Sequence, residues 1–359
     1  MRWSNLQFFL TFCVTCSAMA SQNMRAVLYE PGGPEKMWIG EVPRPNLRPN
    51  ELLLRVYYSA LNRADTLQRK GGYPPPPGES EILGVEVSGV VEELHSTCKL
   101  NWRKGDRVMA LVPGGGYADY VTVHEAHAMA VPESFSLSNA AAIPEVWLTS
   151  YQLLHFIGKV QSGDNVLIHA GGSGVGTSLV QLTRLAGAIP YVTAGSESKI
   201  QNAVALGAEA GFNYKTGDFS EWILEKTQDK GVNVITDCVG GSYWEKNAKS
   251  IARDGHWVLY GLLGGGSVDG AILSTLLKKR VSITGTTLRT RSIEYKAELV
   301  AALAKDVLPY FSTGKLKPIV DSIFPMEKIT DAHKKMESNT NIGKIVVEIR
   351  SEGDKKSEL

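Results

Sequence analysis

Hydrophobic patterning divides the chain into two textures. From residue 24 to about residue 143, short apolar runs alternate with glycine, proline and charge: 52–58 (LLLRVYY), 84–91 (GVEVSGVV), 107–111 (RVMAL) and 120–123 (YVTV). Runs of this length and spacing predict strands, and together a compact, mostly antiparallel, barrel-like domain. Gly105-Asp106 is a turn signal at a strand entrance. Gly114-Gly115-Gly116 has no helical pattern after it and reads as a mobile loop, not a phosphate cradle. From about residue 144 the texture changes. Strand-like runs at 166–169, 191–193, 232–237, 257–260 and 281–283 alternate with helical stretches such as 199–206 and 244–251. That alternation predicts a parallel sheet with helices on both faces. A helix is expected over 294–311 and a returning strand over 345–349, followed by a charged tail expected to be disordered.

The second texture opens on residues 165–185, NVLIHAGGSGVGTSLVQLTRL. The apolar run Val166-Leu167-Ile168-His169 ends in Ala170-Gly171-Gly172-Ser173-Gly174-Val175-Gly176, and Val180, Leu182 and Leu185 can then face a core. Strand, glycine turn and helix in that order begin a dinucleotide-binding βαβ unit. The glycines let main chain approach a pyrophosphate, and the helix N-terminus points free N–H groups at its charge. Ser173 stands where the usual fingerprint has glycine, so the loop by itself also fits a plain structural turn. The alternation around it favours the nucleotide reading.

A site built for NAD usually places Asp or Glu at the end of the second strand, against the ribose 2′-hydroxyl. Here that strand ends in Thr193-Ala194-Gly195-Ser196, although Glu197 lies close enough to keep NAD open. Ser196 and Lys199 can donate to a 2′-phosphate, Lys199 adding charge, and Tyr214 can flank the adenine or touch the same phosphate. NADPH is the cofactor expected; a solvated lysine on a first helical turn is the plainer reading of Lys199. Ligands of such sheets bind beyond the carboxyl ends of strands. Those ends are Cys238-Val239-Gly240-Gly241 and Tyr260-Gly261-Leu262, where glycine either admits the nicotinamide half or simply caps a strand.

Composition narrows the field. A chain of 359 residues has room for two domains. A net charge of +1 with no basic run argues against nucleic acid as a partner. The cysteines, Cys13, Cys16, Cys98 and Cys238, are too scattered for a disulfide framework. Arg2, an apolar run over 6–16 and Ala18-Met19-Ala20 resemble a secretory signal peptide, whereas a start at Met24 would remove the segment. A cytoplasmic protein is expected, with the secretory pathway as the alternative; Lys356-Ser357-Glu358-Leu359 loosely resembles an ER-retrieval ending. No membrane span is expected in the mature chain. No C-x-x-C series or H-x-x-x-H pair occurs in the globular region, so His95, His124, His127, His155, His169, His256 and His333 read as structural or exposed and no metal site is expected. Neither a G-x-x-x-x-G-K-[ST] loop nor a G-x-S-x-G elbow is present.

Several segments then resemble a known family: Leu61-Asn62-Arg63-Ala64-Asp65, Tyr73-Pro74-Pro75-Pro76-Pro77-Gly78, Ala142-Ile143-Pro144-Glu145, Trp147-Leu148-Thr149, the loop 169–176, Thr193-Ala194-Gly195-Ser196, GGSYWEKN over 240–247 and NIGKIV over 341–346. They span residue 24 to about residue 350 and resemble the zinc-free quinone oxidoreductases of the medium-chain dehydrogenase/reductase superfamily. Zinc-dependent relatives carry Cys where this chain has Asn62, and G-H-E where it has Gly84-Val85-Glu86. The subfamily also has serine at the position of Ser173.

The resemblance implies an α/β chain with a GroES-like catalytic domain over 24–143 and a doubly wound Rossmann domain over 144–312. A C-terminal return over 313–350 would close the catalytic domain, leaving a leader, 1–23, and a tail, 351–359. It also implies a homodimer joined through the Rossmann sheets. The activity implied is NADPH-dependent reduction of a quinone in the cleft between domains, where position matters more than activation of an already strong electron acceptor. Asn62 would orient acceptor or nicotinamide. Tyr73 would supply an aromatic face and a phenol proton, or merely pack ahead of the stiff proline run. Thr149, Thr287 and Leu288 would line the nicotinamide pocket, with Lys344 near the cofactor. Resembling enzymes also transfer single electrons, giving semiquinone and then superoxide. The rivals are an NADPH-dependent enone or enoyl reductase and, in another class, a crystallin-like or RNA-binding protein.

Overall fold

The computed structural model describes residues 23–353 except Ala271, and the Ile272 side chain is also outside it. The expected leader, apart from Asn23, and the tail beyond residue 353 therefore lie outside the described residues.

The N-terminal half is built on strands. β1 (Asn23–Tyr29) and β2 (Met37–Pro43) form an antiparallel ribbon. They are followed by β3 (Glu51–Ala60), α1 (Arg63–Arg69), β4 (Glu86–Leu94), β5 (Arg107–Leu111), β6 (Tyr120–His124) and β7 (Ala128–Ala130). β3 is buried at nearly every position because both β4 and β6 pair with it antiparallel. The expected mobile loop Gly114-Gly115-Gly116 is instead buried. A Cβ on Gly114 would lie 2.5 Å from Ser80 O, and one on Gly116 2.9 Å from Gly84 O. Glycine serves close approach of backbones there, a role invisible in the local sequence.

α2 (Leu137–Ala140) and α3 (Pro144–Tyr151) lead into the second half, α3 widening into a π-helical turn over Gln152–Ile157. Strands and helices then alternate: β8 (Asn165–Ile168), α4 (Gly174–Leu185), β9 (Ile189–Ala194), α5 (Glu197–Ala205), β10 (Ala210–Asn213) and α6 (Phe219–Lys226). β11 (Val232–Asp237), α7 (Trp244–Ser250), β12 (Ile251–Leu259), α8 (Ile272–Lys279) and β13 (Ser282–Gly285) complete the series. Every pairing is parallel, in the order β10-β9-β8-β11-β12-β13. The chain reverses direction across the sheet between β8 and β11, the place where ligands bind in doubly wound sheets.

The helix expected over 294–311 is broken into α9 (Ile293–Asp306) and α10 (Leu308–Ser312). Pro309 has no N–H to continue the ladder, and its ring crowds the preceding turn. The chain then runs through β14 (Val320–Pro325), α11 (Ile329–Glu337) and β15 (Lys344–Glu348). β15 returns antiparallel to β3, giving a seven-stranded sheet, β14-β15-β3-β4-β5-β7, with β6 also on β3. One apolar cluster joins the two halves: Tyr57 and Met109 from the β-rich sheet, Trp147 and Phe311, and Val166 and Ile168 from the parallel sheet. Trp147 meets Phe311 edge-on at 4.6 Å. Truncating a buried residue of that size costs about 3–5 kcal/mol, so the cleft between the sheets has a firmly packed floor.

Candidate active site

A cleft of about 580 Å³ lies between the glycine loop of the parallel sheet and the β-rich half. Ser173 is the N-cap of α4, its Oγ accepting from Gly176 N at 2.9 Å, which explains serine within the loop. Ala170 adopts a left-handed φ of 55°, tightening the turn. Gly172 and Gly174 are held open for different neighbours. A Cβ on Gly172 would lie 2.8 Å from the Lys199 stem, and one on Gly174 would lie 2.6 Å from Lys344 Cδ. The β-rich half reaches across to this loop, where Gly343 N donates to Gly172 O at 2.9 Å.

Asn62, Gly172, Ser173, Gly174, Val175, Gly195, Lys199, Tyr214, Tyr260 and Lys344 all line the cleft. The Tyr214 hydroxyl lies 2.6 Å from where a Cβ on Gly195 would stand, with Lys215 Cε at 3.5 Å. Lys199 Nζ donates to Asn339 O at 2.6 Å. Burial, then Lys215 and Arg63, hold the Lys199 ammonium below its ordinary pKa. Cations converging in this way favour an anion among them. The Tyr260 hydroxyl is buried without a nitrogen or oxygen partner among the described residues.

Other expected residues sit beside the cleft and not on its lining. A Cβ on Gly171 would press on Val192 at 2.7 Å, so this glycine serves packing on β9. Gly240, with φ of 77°, and Gly261 let the loops after β11 and β12 touch, a Cβ on either meeting a carbonyl at 2.9 Å. Asp237 fixes the first of these loops, accepting from Val239 N at 2.7 Å and Gly240 N at 3.0 Å. Leu262 is exposed, and its neighbours Leu263 and Gly264 line the cleft in its place. Ser196 Oγ is 3.1 Å from Ser198 Oγ. Thr149 and Leu288 are buried, while Thr287 Oγ1 lies 3.0 Å from Thr290 Oγ1. Tyr73 stands outside the lining, its ring 5.5 Å from the Arg289 guanidinium carbon.

At the floor, a buried polar cluster joins Asn62, one of the two expected catalytic residues, to Lys344, expected near the cofactor; Tyr73, the other, is not part of it. Lys344 Nζ donates to Leu61 O at 2.5 Å and Asn62 Oδ1 at 2.8 Å, and pairs with Glu86 Oε1 at 2.7 Å. Asn62 Nδ2 donates to the same Glu86 oxygen at 2.8 Å. Asp65 accepts from Asn62 N at 2.7 Å and Gly84 N at 2.9 Å, while burial raises its carboxyl. Asn62 and Lys344 are thus locked in place at the cleft. Sequence reasoning missed Arg63 and Asn339 in the lining, though Arg63 directly follows Asn62, while Cys238 lines the cleft at a strand end the sequence pointed to.

A nicotinamide dinucleotide fits these residues. The glycine turn opens on a helix N-terminus, and Lys199 and Lys215 stand close enough beyond it to feel each other's charge. A zinc ion does not fit: the floor presents an amide turned toward Glu86 and a carboxylate already paired with an ammonium. No group of three or more His, Cys, Asp or Glu suited to a metal occurs among the described residues.

A GroES-like β-rich unit beside a Rossmann sheet, with a nucleotide cradle facing their cleft, defines a two-domain oxidoreductase. Residues 48–133 match the alcohol dehydrogenase GroES-like domain, and residues 174–305 the domain described as zinc-binding dehydrogenase. The human synaptic vesicle membrane protein VAT-1 homolog is 30% identical over 331 residues, 88% of this chain and 84% of its own length. Human quinone oxidoreductase is 28% identical over 320 residues, 88% of this chain and 95% of its own. The Escherichia coli quinone oxidoreductase complexed with NADPH superimposes with a TM-score of 0.80 at 27% identity, covering 90% of this chain and 99% of that one. The chain belongs to the medium-chain dehydrogenase/reductase superfamily, among its zinc-free quinone oxidoreductase-like members. No helix among the described residues is long and apolar enough to cross a membrane.

Proposed function

We propose that the protein is an NADPH-dependent quinone reductase. The observation that carries the cofactor choice is the cationic end of the cleft. Tyr214 and Lys215 stand against Gly195 at the end of β9, where an NAD site would offer a carboxylate, and Lys199 lies near enough to Lys215 to feel its charge. Relatives bearing the name quinone oxidoreductase support the acceptor class. Bound in this cradle, the dihydronicotinamide supplies a hydride equivalent. Gly172 and Gly174 admit the pyrophosphate to the N-terminus of α4, and Ser173 holds that turn in shape. Asn62, fixed by Glu86 and Lys344, orients the reacting rings, and the packed floor below excludes water. We assign residues 24–143 with 313–350 to the catalytic unit and 144–312 to the nucleotide unit.

A homodimer joined through the parallel sheet completes the reading. β13 ends that sheet with an unpaired edge, and Leu273 and Leu277, one turn apart on α8, are 79% and 81% exposed. The test is an acceptor panel of naphthoquinones, orthoquinones and enones, each with NADPH and NADH. Turnover of quinones with NADPH preferred is expected. A preference for NADH, or for enones over quinones, overturns the assignment.

A further inference from the structure

A row of hydrogen-bonded side chains runs beneath the cradle and ties together three strand ends that carry its lining. Its members are Thr193 of β9, His169 directly after β8, Asn247 of α7, Asp237 closing β11 and Trp257 of β12, none more than 2% exposed. Thr193 Oγ1 lies 2.9 Å from His169 Nδ1, and His169 Nε2 lies 2.8 Å from Asn247 Oδ1. Asn247 Nδ2 donates to Asp237 Oδ2 at 3.1 Å, and Trp257 Nε1 donates to the same oxygen at 3.0 Å. Asp237 Oδ1 takes the main-chain bonds from Val239 N and Gly240 N. This pattern fixes the protons. An amide oxygen repels a carboxylate oxygen, so Asn247 turns its N–H to Asp237 and its oxygen to His169. The ring then carries its proton on Nε2, and Nδ1 accepts from the Thr193 hydroxyl. Burial lowers the His169 pKa, in keeping with a neutral ring. Every bond therefore points from Thr193 toward the Asp237 carboxylate, and bonds aligned in this way polarise one another.

We propose that Thr193, His169, Asn247 and Asp237 act as one set of positioning residues, holding the ends of β8, β9 and β11 at the spacing a nicotinamide dinucleotide requires. The assignment rests on the reading of the cleft as a dinucleotide site and not on the choice of acceptor. Three of the four are each followed in the chain by residues that line the cleft: His169 by Ala170, Thr193 by Ala194 and Gly195, and Asp237 by Cys238 and Val239. Main chain reinforces the link, since Thr193 O accepts from Gly171 N at 2.9 Å. Tyr243, itself on the lining, stands edge-on to the His169 ring with centroids 4.9 Å apart. The four side chains are absent from the lining, so they act through the loops they hold. A cradle held in shape before its ligand arrives spends less of the binding energy on ordering itself. The bonds stand in series, so a cut at either side of His169 breaks the same row.

The test uses T193V, which removes the hydroxyl, T193S, which keeps it, and N247A. In proton–nitrogen correlation NMR spectra of the protein without nucleotide, His169 should carry its proton on Nε2 at neutral pH. Its Nδ1 signal should move in T193V and stay in place in T193S. In fluorescence titrations NADPH affinity should fall about 10-fold in T193V and return to within about 2-fold of wild type in T193S. The double variant T193V/N247A should bind NADPH no more than about 3-fold more weakly than N247A, well short of the product of the two single losses. If N247A does not fold, the contrast between T193V and T193S decides the matter. A T193V protein with a lowered Tm and wild-type NADPH affinity makes the row a purely structural feature and overturns the proposal. Losses that multiply in the double variant, or a His169 protonated on Nδ1, overturn it as well. A wild type that binds neither NADPH nor NADH removes the dinucleotide reading and this assignment together. Wild-type binding that T193V leaves untouched removes the assignment alone.

Discussion

At the scale of single residues, Lys199 is the side chain on which the proposed cofactor choice turns. Its stem crosses Gly172 and its ammonium is bonded to Asn339 O, with Lys215 and Arg63 close enough to lower its pKa. Replacing it by alanine should remove a charge-assisted contact worth about 1.5–3 kcal/mol. NADPH affinity in a fluorescence titration should therefore fall about 10- to 100-fold, with NADH affinity unchanged. His333 carries a different consequence. Burial and the Arg69 guanidinium, which lies 2.9 Å from Nδ1, lower its pKa to about 3. Between pH 6.5 and about 3 the unfolded chain binds a proton that the native state refuses, so stability present above 6.5 is lost as pH falls. That amounts to about 4–5 kcal/mol across the window. H333N keeps an oxygen for Arg69 and should flatten the fall of Tm between pH 6.5 and 4. An unchanged slope would assign the acid sensitivity to another group.

At the scale of elements, the strand–loop–helix β8–α4 depends on glycines with distinct jobs. Gly176 packs so tightly that a Cβ would collide with Ala170 O and lie 2.8 Å from Gly171 Cα. G176A should cost about 1–3 kcal/mol through forced overpacking and weaken nucleotide binding by shifting the N-terminus of α4. A lowered Tm with reduced NADPH affinity checks this. The β8–α4 unit was legible from its residues because strand period, glycine turn and helix period coincide locally. α11 was not legible. Its buried face is Ile329, Ala332, His333 and Met336, a stripe in which a histidine replaces an apolar residue. The break between α9 and α10 had a visible cause in Pro309, but the surrounding helical period masked it.

For the whole molecule, Leu273 and Leu277 of α8 are the most exposed large hydrophobic side chains among the described residues, and β13 ends the parallel sheet as a strand open to pairing. The double variant L273D/L277D should therefore sediment as a monomer where the wild type sediments as a dimer, with NADPH affinity retained. A wild type that is itself monomeric at micromolar concentration would refute the dimer. The cleft is also a whole-molecule feature. Gly343, from the C-terminal return, bonds the glycine loop, and Lys344 beside it pins Asn62 and Glu86, which are far away in the chain.

The sequence by itself determined the parallel sheet and the glycine turn between β8 and α4, because each is encoded in a contiguous run whose period and turn chemistry act over a few residues. The β-rich unit was likewise readable as short strands. Only the tertiary structure decided that Gly114–Gly116 is buried and that Tyr73 stands off the cleft lining. It alone brought the Glu145 N–H onto Glu86 beside the locked Asn62–Glu86–Lys344 floor. The physical reason is that burial, shared hydrogen bonds and the field on a carboxyl come from groups brought together by β3, α3 and β15, and no local pattern records which distant residues will meet.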